Sequence, residues 1–145
     1  ESVASMLSTE QREGLLEVST YADFQNKADK VKNELLAFLV HQKLAGKTVV
    51  AYGAAAKGNT LLNYAGVKPD LIKSVYDLAQ AKQGKFLPGT HIPILPPDHL
   101  ERIKADYVLI LPWNLSSELA PILREVSAAK LVVAVPELTV LDDVL

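Results

Sequence analysis

Short runs of apolar, often β-branched residues alternate along this chain with segments whose apolar residues recur at helical spacing. The first run, 48–52, carries no charge and is typical of a strand buried on both faces. Further strands are predicted at 71–76, 92–95, 107–111 and 131–135. Pro93 favours a sheet edge for the strand at 92–95, because proline has no N–H to donate to a neighbouring strand.

The segments between the predicted strands have the pattern of helices. In 21–44, charged residues separate apolar ones that recur at steps of three and four, which predicts one buried stripe: Phe24, Ala28, Val31, Leu35 and Leu39. Shorter helices are expected at 61–65, 97–104 and 117–128. Pro121 is expected to push the start of the last helix late, because proline suits only the first turn. Residues 1–20 are interpreted as a linker or an N-terminal helical segment.

Strands that alternate with helices predict an α/β domain over residues 21–145. We expect a Rossmann-like, mostly parallel sheet with helices on both faces, which together form a three-layer sandwich. Residues 136–145 are expected to form a tail in which Asp142 and Asp143 face solvent. Ligands of open parallel sheets bind beyond the carboxyl ends of the strands, so the segments that follow the strands form the candidate site.

Composition narrows the class of protein. The chain has 145 residues, 49% of them apolar and 22% charged, which fits one soluble globular domain. The net charge is −2 and the basic residues are scattered, which argues against a nucleic acid as partner. No apolar run approaches the roughly 18 residues of a membrane span. The chain lacks cysteine and begins at glutamate, so we expect a cytoplasmic protein of which this is one piece.

The turn after the first predicted strand is the first candidate for ligand binding. Tyr52 ends the strand, and Gly53 allows a sharp turn and a close approach of the backbone to a ligand. Lys57, Gly58 and Asn59 follow, where the start of a helix offers unpaired N–H groups to an anion. A tight packing turn without a ligand is the alternative interpretation.

Familiar nucleotide and catalytic motifs do not appear in the sequence. Ala55 stands where the dinucleotide fingerprint needs its middle glycine, and Asn59 stands where a P-loop needs lysine. No group of histidines and carboxylates has the spacing of a metal site, and no nucleophile is paired with a base. We therefore predict neither a metal site nor a catalytic residue in this chain.

Three further positions follow predicted strands or lie in the turns between them. Asp77 follows the second strand, where a carboxylate commonly binds ribose hydroxyls; a turn cap is the alternative. Trp113 and Asn114 follow the strand at 107–111, where an indole and an amide suit a base or a sugar, although Trp113 could simply cover the sheet edge. His91 lies in a turn and is either a ligand contact or a solvated side chain.

Four blocks in this order carry a resemblance to a known family: 52–63, 82–85, 87–94 and 106–114, with Asp77 between the first two. They resemble the C-terminal domain of sugar C-methyltransferases, and the similarity covers the chain from about Tyr21 to Glu137. The resemblance adds Gln83 and Gly84 to the candidate substrate-binding residues. The family usually has a basic and polar stretch after the aspartate, whereas this chain has 78–81, Leu-Ala-Gln-Ala, so no phosphate or ribose contact is carried over there.

The resemblance implies a fragment of a three-part enzyme that methylates a ring carbon of nucleotide-linked keto-deoxysugars. A zinc-binding domain and an S-adenosylmethionine domain precede the third part, so the methyl-donor site and the catalytic base lie outside this chain. The implied role is to bind the nucleotide-linked sugar against the preceding methyltransferase domain, with no cofactor bound here and no catalysis by the chain alone. A nucleotide-binding module for NAD(P) or coenzyme A and a structural or interaction domain remain the alternatives.

Overall fold

The computed structural model describes residues 2–141. The chain forms two compact units, and the division between them falls at Lys30 and Val31. Asp142 and Asp143, which the sequence placed on a solvent-facing tail, lie outside the described residues.

The first unit contains one short helix and a 3₁₀ turn. Helix α1 spans Val3–Arg12, and the Ser2 hydroxyl accepts the Ser5 N–H at 3.2 Å to cap its start. The 3₁₀ turn covers Val18–Tyr21. All the residues of these two elements are at least partly exposed.

The second unit is built on a six-stranded sheet with the order β3-β2-β1-β4-β5-β6. The strands are β1 Val49–Tyr52, β2 Val75–Tyr76, β3 Ile94–Leu95, β4 Tyr107–Ile110, β5 Lys130–Val133 and β6 Thr139–Leu141. The first five strands pair in parallel, and β6 pairs antiparallel with β5. The expected mostly parallel sheet is confirmed, and so is the edge position of the strand next to Pro93.

Three helices cover the two faces of this sheet: α2 Phe24–Leu44, whose second half lies in this unit, α3 Ala56–Tyr64 and α4 Ser116–Val126. Side chains of one strand alternate between the faces. In β1, Ala51 packs in a cluster with Leu35 of α2 and Leu62 of α3, while Val50 packs on the other face with Leu123 of α4. The predicted Rossmann-like sandwich with helices on both faces is confirmed.

Several element boundaries differ from those predicted. β2 starts at Val75 instead of residue 71, because a turn occupies 69–71. The predicted tail contains β6, which completes the sheet edge. The predicted apolar stripe of α2 is only partly buried: Leu35 and Leu39 are in the core, whereas Phe24 is 69% exposed.

Two helices begin earlier than predicted. α3 starts at Ala56, so Lys57 and Asn59 lie in its first turn and not in an extended loop. α4 starts at Ser116, one residue before the predicted start, and contains Pro121 in its interior, so only the expected effect of the proline on the start was wrong. Burial of Ala120 and Leu123 against the sheet outweighs the hydrogen bond that the proline cannot make.

Gly58 lets α3 approach the end of β4 closely. A Cβ at this position would lie 2.6 Å from the Cβ of Leu111, a distance that real side chains do not adopt. Leu111 is itself buried, so its backbone cannot move away without disturbing the core. The absence of a side chain at Gly58 therefore sets the distance between α3 and the sheet.

We expect the substitution Gly58→Ala to lower the free energy of unfolding by about 1–3 kcal/mol, the usual cost of overpacking. Helix propensity alone predicts the opposite sign, a gain of about 1 kcal/mol. The exposed Thr60→Ala, in the same helix, serves as the control and should be neutral or slightly stabilising. Urea unfolding followed by circular dichroism measures both variants, and a gain in stability for Gly58→Ala would contradict the packing account.

Candidate ligand site at the carboxyl edge of the sheet

The carboxyl ends of β2, β1 and β4 lie side by side at one edge of the sheet. The chain passes from β1 outward to β2 and β3, and then returns to pair β4 with the other side of β1. The direction of strand order therefore reverses between β1 and β4, which is where ligands of open parallel sheets commonly bind. The predicted segments after these three strands all reach this edge.

Gly53 brings the exits of β1 and β4 into contact. Its φ of +86° belongs to the left-handed region, and its N–H donates to the Tyr76 carbonyl at 2.7 Å. A Cβ at Gly53 would lie 2.6 Å from the ring carbons of Pro112. The gap between these two strand ends is therefore filled at its base by a proline ring.

Above this contact, Lys57 bridges from α3 to the residues that follow β4. Its Nζ lies 4.7 Å from the centroid of the Trp113 ring and donates a hydrogen bond to Oδ1 of Asn114. A cation over an indole face is attracted by the ring quadrupole. Trp113 is half-buried and also packs against the α4 side of the core, so it both covers the sheet and faces the lysine.

Asp77 joins the exits of β1 and β2. Its Oδ2 accepts the Ala54 N–H at 2.7 Å and lies 3.0 Å from Nζ of Lys82, and its Oδ1 accepts the Ala79 N–H at 2.8 Å. Asp77 is only 8% exposed. Burial raises the pKa of the carboxyl group, but the hydrogen bonds from Ala79, Lys82 and Ala54 outweigh burial and bring the pKa below its usual value. The turn cap foreseen as an alternative is thus present.

Tyr52 lies beneath the site and not in its opening. The side chain belongs to the cluster on the α4 face and is 7% exposed. Burial raises the pKa of the Tyr52 hydroxyl, and the negative charge of Asp77 raises it further. The phenol is therefore neutral at physiological pH and supports the strand exit through packing.

Gln83 and Gly84 shape the segment that follows β2. Nε2 of Gln83 donates to the Asp77 carbonyl at 2.9 Å, and this hydrogen bond joins the two ends of a turn over residues 77–83. Gly84 has a φ of +74°, and its N–H donates to the Ile94 carbonyl at 2.9 Å. These two residues hold the neighbouring lysines, Lys82 and Lys85, in a fixed turn.

His91 has a left-handed backbone with a φ of +61°, which is uncommon outside glycine. Its imidazole ring stacks on Phe86, with 4.4 Å between ring centroids and 14° between planes. The turn is closed by backbone hydrogen bonds between Leu87 and both His91 and Ile92. His91 is therefore exposed but not simply solvated, because its ring stacks on Phe86. Phe86 was not a candidate from the sequence.

A cavity of about 420 Å³ opens on the β2 side of α3. Ala54, Ala55, Ala56 and Asn59 form one wall, and the segment 81–88 forms the other. Its charged and aromatic members are Lys82, Lys85 and Phe86, none of which was a candidate from the sequence alone. The sequence signal that could have found them is their position in the family blocks. Lys82 and Lys85 lie in the block 82–85, and Phe86 lies between this block and the block 87–94.

The predicted site residues thus divide between two sides of the first turn of α3. Lys57, Trp113 and Asn114 meet on the β4 side. Asn59 lines the cavity on the β2 side. Gly58, between Lys57 and Asn59 in the sequence, is buried against Leu111. The fold brings all these residues to one edge of the sheet but not into one cavity.

Within residues 2–141, no helix has the length and apolar character needed to cross a membrane. The same part of the chain contains no group of three or more histidine, aspartate or glutamate side chains suited to a metal ion.

Comparison with known proteins identifies relatives of this chain. Residues 1–136 match a family described as the C-methyltransferase C-terminal domain. C-methyltransferase NovU from Streptomyces niveus is 34% identical over 137 residues, which cover 93% of this chain and 33% of NovU. The chain therefore spans about a third of the length of this curated relative.

The lowered pKa of Asp77 predicts how stability depends on pH. A carboxyl group whose pKa lies lower in the folded state stabilises the fold above its unfolded pKa, near 3.8, and this contribution is lost as the pH falls through the folded value. We expect Asp77→Asn to lower the free energy of unfolding at pH 7 by about 2 kcal/mol, since one of the two oxygens that accept N–H groups is replaced by an NH2 donor. The variant should also lose part of the acid sensitivity of the parent chain.

Asp70→Asn provides the matched control, because Asp70 is also paired with a lysine, Lys43, but is mostly exposed. Its removal should change stability little, since exposed ion pairs contribute little. Urea unfolding from pH 7 to pH 2.5 distinguishes the two carboxylates. Equal effects of the two variants would show that the Asp77 network does not hold the strand exits together.

Proposed function

Because this chain belongs to the C-methyltransferase C-terminal domain family, as its sequence blocks indicated, we propose that it binds and orients a nucleotide-linked sugar for methyl transfer. The remaining parts of the whole protein supply the methyl donor and the group that removes the proton from the sugar carbon. The chain alone has the role of a positioning domain.

The observation that carries this proposal is the meeting of Lys57, Trp113 and Asn114 at the point where the strand order reverses. An ammonium group and a carboxamide bind hydroxyl groups and anions, and the face of an indole packs against the C–H groups of a sugar ring. A few polar groups beside an aromatic surface are typical of small-molecule sites. Lys57 already contacts both Trp113 and Asn114, so little ordering of the lysine is needed when a ligand arrives.

Positioning contributes to catalysis without a reacting group. Holding two reactants in the correct geometry can supply several kcal/mol of a barrier by removing translational and rotational freedom before the chemical step. This is the contribution we assign to the chain, because no nucleophile paired with a base is found among the residues at the carboxyl edge.

We also propose that S-adenosylmethionine, the expected methyl donor of the whole enzyme, binds outside this chain. In related nucleotide sites a carboxylate after the second strand binds the ribose hydroxyls. Here Asp77 is buried, and its oxygens already accept hydrogen bonds from Ala54, Ala79 and Lys82, which leaves little of the carboxylate for a ribose. We therefore assign the methyl donor to the preceding domain, and the same contacts weigh against the alternative of an NAD(P)-binding module.

NMR titration of the chain tests the proposal. A dTDP-linked sugar should shift the backbone amides of Gly53 and Trp113, whereas S-adenosylmethionine should shift neither. We also expect Trp113→Leu to weaken sugar-nucleotide binding about fivefold, which corresponds to the loss of a ring contact of roughly 1 kcal/mol. The chain should transfer no methyl group when both compounds are supplied.

Tyr64→Leu is the matched control for this variant, because Tyr64 is also a partly exposed ring beneath a lysine, Lys32, but lies at the other end of α3. It should leave binding unchanged. The proposal fails if the sugar nucleotide shifts no residue at the carboxyl edge, or if the chain alone catalyses methyl transfer.

A further inference from the structure

We propose that the first unit carries a docking surface through which this domain packs against the preceding methyltransferase domain of the whole protein. This N-terminal apolar surface consists of large apolar residues that are each more than half exposed: Val3, Met6, Leu7, Leu16, Val18 and Phe24. The inference goes beyond the proposed function, because it does not depend on which ligand the carboxyl edge of the sheet binds.

Helix α1 has an apolar stripe that is left uncovered by the described residues. Val3, Met6 and Leu7 recur at steps of three and four, so they lie on one side of the helix. More than half of the large apolar residues that are exposed within 2–141 belong to the first 30 residues. A helix of ten residues is marginal in water unless its apolar face is packed. α1 therefore has the pattern of a packed helix without its partner.

The segment after α1 is ordered by hydrogen bonds and not by a core. The Tyr21 hydroxyl donates to the Leu15 carbonyl at 2.7 Å, which closes the turn between them. Leu16 and Val18, within this turn, are 72% and 86% exposed. None of the residues 2–30 is buried. Because so small a unit cannot bury a core by itself, its exposed apolar residues indicate a surface that another part of the protein covers.

The family and the length of the relative identify what covers this surface. The matched family is the C-terminal domain of C-methyltransferases, and the match over residues 1–136 includes the first unit. The similarity to this chain accounts for only 33% of NovU. The other parts of a C-methyltransferase precede its C-terminal domain, so the first unit is the part of the domain nearest to them in sequence. A tethered neighbour is present at high effective concentration, so even a modest apolar surface is sufficient for docking.

The charge of the first unit argues against two other occupants. Residues 2–26 contain four carboxylates but a single basic side chain, Arg12. The carboxylates are Glu10, Glu13, Glu17 and Asp23. A second copy would bring like charges together, and an anionic membrane surface would repel the segment. The complement of this unit is a protein surface that is apolar at its centre and basic around it.

Hydrogen–deuterium exchange of the α1 amides, compared between this chain and the whole protein, tests the proposal. We expect exchange to be slower by roughly tenfold or more in the whole protein, because a packed helix opens rarely and an exposed one frays. Met6→Gln combined with Leu7→Gln should abolish this protection. Glutamine has nearly the helix propensity of both parent residues, so α1 itself is not weakened. In the chain alone the double variant should leave urea unfolding unchanged, because neither residue is buried.

Leu44→Gln is the matched control, because Leu44 is also an exposed leucine in a helix but lies in the second unit. It should leave the protection of α1 unchanged. The inference is overturned if α1 exchanges equally fast in the chain and in the whole protein, or if the double variant keeps the protection.

Two further measurements on the chain alone test the other occupants. Light scattering that shows a dimer, which the double variant abolishes, would overturn the inference in favour of a second copy. Binding to vesicles of phosphatidylcholine and phosphatidylglycerol, lost in the double variant, would overturn it in favour of a membrane. The proposed function is tested separately by the titration with a dTDP-linked sugar, so either can fail without the other.

Discussion

The buried carboxylate of Asp77 is the constraint on which the carboxyl edge of this sheet depends. It accepts N–H groups from Ala54 after β1 and from Ala79 after β2, and it pairs with Lys82. A buried carboxylate is stable only when its oxygens are satisfied, so these contacts form or fail together. They fix the turn that leads into α3, the start of the segment 77–85, and the direction of one lysine in the cavity wall.

A second constraint divides the edge into two places. Gly53 and Gly58 allow the first turn of α3 to lie against Pro112 and Leu111, which leaves no room for a ligand at the base of the gap between β1 and β4. In many open parallel sheets that gap is the ligand crevice. In this domain the open space lies on the β2 side of α3, and Lys57 spans the β4 side towards Asn114. The chain belongs to the C-methyltransferase C-terminal domain family, and the proposed function assigns ligand binding to the β4 side.

Sequence patterns predicted the parallel sheet well, because the strands that form it are buried on both faces and this burial is visible as apolar runs. Runs such as 48–52 and 107–111 are apolar enough to require two covered faces, and that requirement determines a parallel sheet with helices on both sides.

The edge strand β6 was missed because Thr139–Leu141 is short and only half-buried. The start of α3 was missed because Ala55 has no polar side chain to signal a cap. The place of Asp77 in a strand exit was foreseen, but its partners come from two segments, after β1 and after β2, and the contact with Ala54 carries no local pattern. The cavity was also missed, since its walls come from segments that are distant in the sequence, 54–59 and 81–88, and apolar periodicity does not report such a contact.

The central claim is the proposal that a nucleotide-linked sugar binds where Lys57, Trp113 and Asn114 meet. Intermolecular nuclear Overhauser effects between the sugar protons of a bound dTDP-linked sugar and the aromatic protons of the chain test it most directly. The account predicts contacts from the sugar to the ring of Trp113. A bound sugar nucleotide whose sugar protons contact other aromatic rings and not Trp113 would contradict it.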